Sequence, residues 1–238
     1  MDIYSKKDFQ NKFDKKIIER AKKVKLIIAD VDGVLTDGTI YKGGNEITYK
    51  SFNNFELKKF SVLDGAGVAL ARLLDFHIAF ISGRKSSATE IRANEFNITD
   101  VYNGTLNKMK PYNELKLKYN LSDENCAFIG DDIIDISLME KVAVPIAVSN
   151  AYHLVKEKAI YTTSLCGGDG AFREAVDWIA ICQGLDKARI ALMLDSLFIK
   201  EEWIISPELS LIPPRSKIEC VDFEFNVESN SIPFFTDK

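Results

Sequence analysis

Short apolar runs that end on a polar residue or glycine recur along the chain. Lys25–Asp30 reads KLIIAD, Phe76–Ser82 reads FHIAFIS, Cys126–Gly130 reads CAFIG and Val144–Val148 reads VPIAV. Runs of this length without alternation suit parallel strands buried on both faces, with function at their carboxyl ends. Val101-Tyr102 and Ile160-Tyr161 are shorter candidates. Around them lie helical patterns at Ile17–Val24, Ala66–Asp75, Ser86–Asn97, Lys108–Asn120, Ile133–Lys141, Ala151–Lys158 and Ala171–Gln183. Strands alternating with helices predict an α/β fold, a three-layer Rossmann-like parallel sheet with right-handed crossovers.

One segment breaks the alternation. Residues 38–63 carry alternating β-rich runs around Gly43-Gly44, which predicts a β-hairpin flap turning at those glycines. Residues 1–185 are expected to form the core, with the flap at about 38–63. Residues 186–238 are expected to form a C-terminal extension. It begins with an apolar-periodic helix at Lys187–Lys200 and continues through Pro207, Pro213, Pro214 and Pro233, with a strand-like Glu219–Val227.

Composition narrows the function classes. Of 238 residues, 46% are apolar and 28% charged, which excludes disorder throughout. The net charge of −4 gives no general attraction to nucleic acid or anionic lipid. No stretch approaches the ~20 apolar residues of a membrane span. Met1–Lys7 leads into no apolar run, so no secretory leader is expected. Cys126, Cys166, Cys182 and Cys220 lie far apart, as free thiols of a cytoplasmic protein would. His77 and His153 are the only histidines, which disfavours His-based triads and zinc sites.

The chemistry gathers at the strand ends. Asp30-Val31-Asp32-Gly33 follows the first apolar run, and two carboxylates this close repel unless a cation or a proton intervenes. A calcium loop fails because Tyr41 holds its twelfth position. Gly130-Asp131-Asp132-Ile133-Ile134-Asp135 follows another run, where plain helix capping is the simpler alternative. Acidic strand ends converging at the carboxyl edge of a sheet, without His or Cys, point to Mg²⁺. Ser82-Gly83-Arg84 suits a phosphate oxygen. Lys108 and Lys110 both qualify as a phosphate-binding lysine. Together these are parts for phosphoryl transfer to an aspartate.

DVDGVLTDG, SGR, a lysine and GDDxxD, in this order and spacing, resemble the haloacid dehalogenase superfamily of aspartate-nucleophile phosphatases. The resemblance spans roughly residues 20–185. Glu56-Leu57-Lys58, Asp64-Gly65-Ala66-Gly67, Gly83-Arg84-Lys85 and Gly167-Gly168-Asp169-Gly170-Ala171-Phe172-Arg173-Glu174 resemble its capless subgroup. That subgroup comprises the 3-deoxy-D-manno-octulosonate (KDO) 8-phosphate phosphatases and their sialic-acid-related cousins.

The resemblance implies Asp30 as nucleophile and Asp32 as general acid/base. It implies Mg²⁺ on the Asp30 carboxylate, the Asp32 backbone carbonyl and Asp131, with Asp135 supporting the metal site. Ser82 would bind the phosphoryl group. The family lysine lies four residues past a strand-end glycine, which selects Lys108 through Gly104. Lys58, Gly83, Arg84 and Arg173 are the implied substrate-binding residues. A sugar-phosphate substrate and a homotetramer in which flaps meet are implied as well.

The chain departs from the family in its longer flap, in Leu63 where an Arg usually precedes Asp-Gly, and in its long C-terminal extension. A nine-carbon sialic-acid-type 9-phosphate is the rival substrate, and Gly83-Arg84-Lys85 favours the eight-carbon one. A receiver-like signalling domain is the rival of another class. Asp32, an acid/base two residues past the nucleophile, speaks against it.

Overall fold

The computed structural model describes residues 13–43 and 55–199. Six strands form one parallel sheet: β1 (Leu26–Ala29), β4 (His77–Ser82), β5 (Asp100–Asn103), β6 (Cys126–Gly130), β7 (Val144–Ala147) and β8 (Tyr161–Thr162). Between the first two in sequence, β2 (Tyr41–Gly43) and β3 (Phe55–Leu57) make a separate antiparallel pair. The helices are α1 (Lys15–Lys22), α2 (Val62–Leu73), α3 (Ser87–Glu95), α4 (Met109–Tyr119), α5 (Ile136–Met139), α6 (His153–Lys158), α7 (Ala171–Cys182) and α8 (Lys187–Ile199).

The large sheet runs β5-β4-β1-β6-β7-β8, and every ladder in it is parallel. β1 lies in the interior, with all four residues buried because helices cover the sheet. The chain proceeds outward from β1 through β4 and β5 on one side, then through β6, β7 and β8 on the other. The strand order thus reverses at β1, and sheets of this kind bind ligands at the carboxyl ends beside such a reversal. Among the described residues, no helix is long and apolar enough to cross a membrane.

The α/β fold is as the apolar pattern predicts, and three local features differ. α2 starts at Val62, inside the segment expected to be flap, because the Ser61 hydroxyl caps it through the Leu63 N–H (3.2 Å). The helix expected over Ile133–Lys141 is divided into a 3-10 turn at Ile133–Asp135 and the short α5. Reciprocal bonds between Asp132 and Asp135 tighten its first turn. Gly43 is not in a turn: it pairs with Phe55 in the flap ladder, and Gly44, the other half of the expected turn, lies outside the described residues. The strand-like 219–227 and Cys220 also lie outside them. Cys126, Cys166 and Cys182 are free thiols.

Candidate active site

The loop after β1 folds tightly upon itself. Asp30 N–H donates to the Ile129 carbonyl (2.9 Å), which fixes the residue against β6. The Leu35 and Thr36 N–H groups both return to the Val31 carbonyl (3.0 Å each). Buried Thr36 Oγ1 accepts from the Gly33 and Gly38 N–H groups (3.3 and 3.2 Å). Gly33 takes φ +95°, and a Cβ there would stand 2.0 Å from Asp131 Oδ2. The glycine therefore permits both the turn and the approach of the second acidic loop.

Three carboxylates meet beneath this loop. One oxygen from each of Asp30, Asp131 and Asp135 lies within 4.8 Å of the others. Lys108 reaches them from the start of α4. Its Nζ lies 2.9 Å from Asp30 Oδ1 and 2.5 Å from Asp135 Oδ1, with the side chain fully buried. Lys110 is exposed. Three carboxylates against one ammonium leave an excess of two negative charges, which one divalent cation balances.

The oxygens of the three carboxylates differ in their commitments. Asp135 Oδ2 accepts the Asp131 and Asp132 N–H groups (2.9 and 3.2 Å), while its Oδ1 holds Lys108. Both of its oxygens are occupied in fixing the loop and the lysine. Asp30 Oδ1 accepts the Val31 N–H (2.7 Å) and faces Lys108, so both described contacts fall on one oxygen. Asp131 Oδ1 is buried and has no hydrogen-bond partner. That oxygen, beside two further carboxylates, is free to accept a cation.

Burial pushes the Asp30 carboxyl up to about 6, against the attraction of Lys108. Burial, followed by the neighbouring charges of Asp30 and Asp135, pushes Asp131 up to about 8. The all-oxygen donor set fits a hard ion such as Mg²⁺, with Asp30 and Asp131 supplying the free oxygens.

Asp32 sits on the other side of the loop. Its Oδ2 lies 3.2 Å from Ser82 Oγ and its Oδ1 lies 2.7 Å from Lys58 Nζ. Ser82 ends β4, is buried, and accepts the Arg84 N–H on its hydroxyl oxygen (3.1 Å). Beside it, a Cβ on Gly83 would meet Leu106 and Ile134 at 3.1 and 3.3 Å. The half-exposed Arg84 guanidinium pairs with Glu56 of β3 (2.6 Å).

Two of the implied substrate-binding residues are turned elsewhere. The Lys58 side chain is 1% exposed and is committed to Asp32 and to Thr89 Oγ1 (3.2 Å), which leaves it no open face for a substrate carboxylate. Arg173 Nε donates to Asp177 one turn along α7 (2.7 Å), and its backbone N–H donates to Asp64 Oδ1 (3.0 Å).

The glycine-rich segment before α7 has a role that spacing alone did not reveal. A Cβ on Gly167 would lie 1.7 Å from the Gly33 carbonyl oxygen, and one on Gly168 would lie 2.4 Å from the Asp37 nitrogen. Gly168 N–H donates to the Val34 carbonyl (3.2 Å). The two glycines therefore pack backbone to backbone against the loop carrying Asp30 and Asp32. Buried Glu174 accepts from Tyr161 OH, the Ser164 N–H and hydroxyl, and the Leu165 N–H, fixing the approach to those glycines.

Comparison with known proteins agrees with this geometry. The chain is 41% identical over 174 residues to the 3-deoxy-D-manno-octulosonate 8-phosphate phosphatase of Escherichia coli (strain K12), covering 73% of this chain and 88% of the relative. The crystal structure of the Yersinia pestis 3-deoxy-D-manno-octulosonate 8-phosphate phosphatase is 40% identical, with a TM-score of 0.66, covering 71% of this chain and 87% of that one. The Moraxella catarrhalis phosphatase, solved in complex with magnesium ion, phosphate ion and KDO, is 33% identical with a TM-score of 0.66, covering 74% of this chain and 97% of that one. The profile of the haloacid dehalogenase-like hydrolases matches residues 2–172, and this chain belongs to that family.

Proposed function

We propose that the chain is a Mg²⁺-dependent phosphatase that hydrolyses KDO 8-phosphate to KDO and inorganic phosphate. The observation that carries this reading is the burial of Lys108 between Asp30 and Asp135, with Asp32, Ser82 and Asp131 on the same edge of the sheet. The likeness to the Moraxella catarrhalis phosphatase, solved with magnesium, phosphate and KDO, supports the substrate class.

In the first step an Asp30 carboxylate oxygen attacks phosphorus. The bond from phosphorus to the sugar oxygen breaks, and Asp32 gives its proton to that oxygen, so the sugar leaves as a neutral hydroxyl. In the second step Asp32, now a carboxylate, takes a proton from water as the water oxygen attacks phosphorus. The bond to Asp30 breaks, inorganic phosphate leaves, and both aspartates return to their starting states. Lys108 and the Ser82 hydroxyl neutralise and orient the phosphoryl oxygens. Asp30, Asp131 and the Asp32 carbonyl, supported by Asp135, would hold Mg²⁺, which would supply charge neutralisation.

Gly83 lets the substrate approach the strand end, and Arg84 is the candidate for the sugar-acid carboxylate, in competition with Glu56. The core spans residues 1–185, and the protein works in the cytoplasm as a homotetramer. Exposed Ile40, Tyr41 and Leu57 on the flap support a face covered by another copy. A phosphate-release screen over sugar phosphates, with and without Mg²⁺, tests this reading. KDO 8-phosphate should be turned over fastest and only with the metal. Faster turnover of a nine-carbon sialic-acid-type 9-phosphate would overturn the substrate assignment.

A further inference from the structure

Lys58 stands on the flap side of the site, directly after β3, yet its ammonium is buried against a residue of the nucleophile loop. Lysine is rarely buried without a charge partner, because removing its ammonium from water is costly. Its partners are Asp32 Oδ1 at 2.7 Å and buried Thr89 Oγ1 at 3.2 Å, with Glu56 Oε1 farther off at 3.9 Å. Glu56 is itself engaged with Arg84 through its other oxygen. The short contact of the lysine is therefore with Asp32, and Thr89 on α3 fixes the direction from which it comes.

This makes the two oxygens of Asp32 unequal. Oδ1 accepts from an ammonium, while Oδ2 accepts from the Ser82 hydroxyl, a neutral and longer contact at 3.2 Å. We infer that Lys58 is a positioning residue for Asp32: anchored by Thr89, it holds Oδ1, keeps Oδ2 turned toward Ser82, and stabilises the carboxylate formed as the proton leaves. The O–H bond of Asp32 breaks while an O–H bond forms on the departing sugar oxygen, and Lys58 keeps its own protons throughout. Negative charge develops on Asp32 during this transfer, so a fixed ammonium beside it favours the transition state over the ground state. The flap thereby contributes to proton delivery through a residue of the described hairpin base.

This inference rests on the phosphatase reading, and leaving-group chemistry separates the two. A sugar alkoxide needs a proton to depart, whereas nitrophenolate does not. The experiment measures steady-state turnover of KDO 8-phosphate and the pre-steady-state nitrophenolate burst from p-nitrophenyl phosphate, both with saturating Mg²⁺. Lys58→Met should lower kcat on the sugar phosphate by ~30-fold or more, a large part of the ~10²–10⁴-fold that general-acid catalysis supplies, and lower the burst rate by less than about threefold. KM should stay within about threefold, and Lys58→Arg should recover part of the loss. Thr89→Val, which removes only the anchoring hydroxyl, should give the same selectivity at smaller amplitude and serves in place of Lys58→Met if that variant does not fold. Equal losses on both substrates would overturn the inference, as would a rise in KM for the sugar acid with kcat intact. A wild-type protein inactive on every phosphate monoester would overturn the phosphatase reading instead.

Discussion

A Cβ atom on Gly167 would stand 1.7 Å from the carbonyl oxygen of Gly33. The two backbones touch where the Asp30–Asp32 loop turns, so the segment before α7 acts as a wall for the site. Gly167→Ala has no flexible side chain to displace and must push the Asp30–Asp32 loop away from Asp131. We expect a loss of about 1–3 kcal/mol in stability or more, and at least a tenfold fall in kcat. Gly184→Ala is the control. Its φ of +97° is strained for alanine but nothing lies within 4 Å, so stability should fall by about 1 kcal/mol with activity kept. Thermal melting and phosphate release check both.

Lys108 and Lys110 should separate cleanly on substitution. Lys108→Ala removes the ammonium shared by Asp30 and Asp135, leaving buried carboxylates uncompensated at about 3–5 kcal/mol. Its turnover should fall by ~10²-fold or more, because phosphoryl charge loses a fixed cation. Lys110→Ala, at an exposed position, should alter neither stability nor turnover. Phosphate release by the two purified variants decides the point.

Metal binding should strengthen with pH. The folded protein without metal holds protons on Asp30 up to about 6 and on Asp131 up to about 8, both above the 3.8 of a free Asp carboxyl. The stability these groups contribute is complete below 3.8 and is lost as pH rises through the folded values. Mg²⁺ must displace those protons, so its affinity should rise from pH 6 to pH 8, by at most about tenfold per pH unit for each proton released. The increase in Tm on adding Mg²⁺ should therefore be larger at pH 8 than at pH 6. Calorimetric titration in buffers of different ionisation enthalpy should register proton release.

Asp64 offers a pH effect away from the metal. Burial pushes its carboxyl up to about 7, although Oδ1 accepts the Arg173 N–H at 3.0 Å. The folded state thus binds more protons than the unfolded one between 3.8 and about 7, and stability is lost as pH rises through about 7. Asp64→Asn keeps an Oδ1 acceptor and removes the charge. In saturating Mg²⁺, the wild-type Tm should drop further than the variant Tm between pH 5 and pH 8. Parallel curves would contradict this assignment.

Much of this site was legible in the sequence because its parts sit at strand ends. β6 occupies Cys126–Gly130 as its apolar run predicts, and Asp30, Ser82 and Asp131 each stand at or next to the end of such a run. The four-residue spacing from Gly104 selected Lys108, and that residue lies between the carboxylates. Periodicity could not place Val62–Gly65 in a helix, since a capping serine before it and the glycine that ends it read equally well as loop. It could not place Gly43 within a ladder, because residue type alone does not set hairpin register. Nor could it foresee Lys58 on Asp32 or Gly167 on Gly33, since both contacts join segments far apart in sequence. The glycines in GGxGAxRE were visible as a signature, but the backbone they accommodate was not.

In the proposed mechanism Asp30 carries the phosphoryl group. Acid quench of the enzyme during turnover of KDO 8-phosphate with Mg²⁺, followed by peptide mass spectrometry, measures this directly. A hydroxylamine-sensitive phosphoryl adduct is expected on Asp30 in the wild-type protein, with no adduct and no turnover in Asp30→Asn. Turnover that survives Asp30→Asn, or an adduct on another residue, would contradict it.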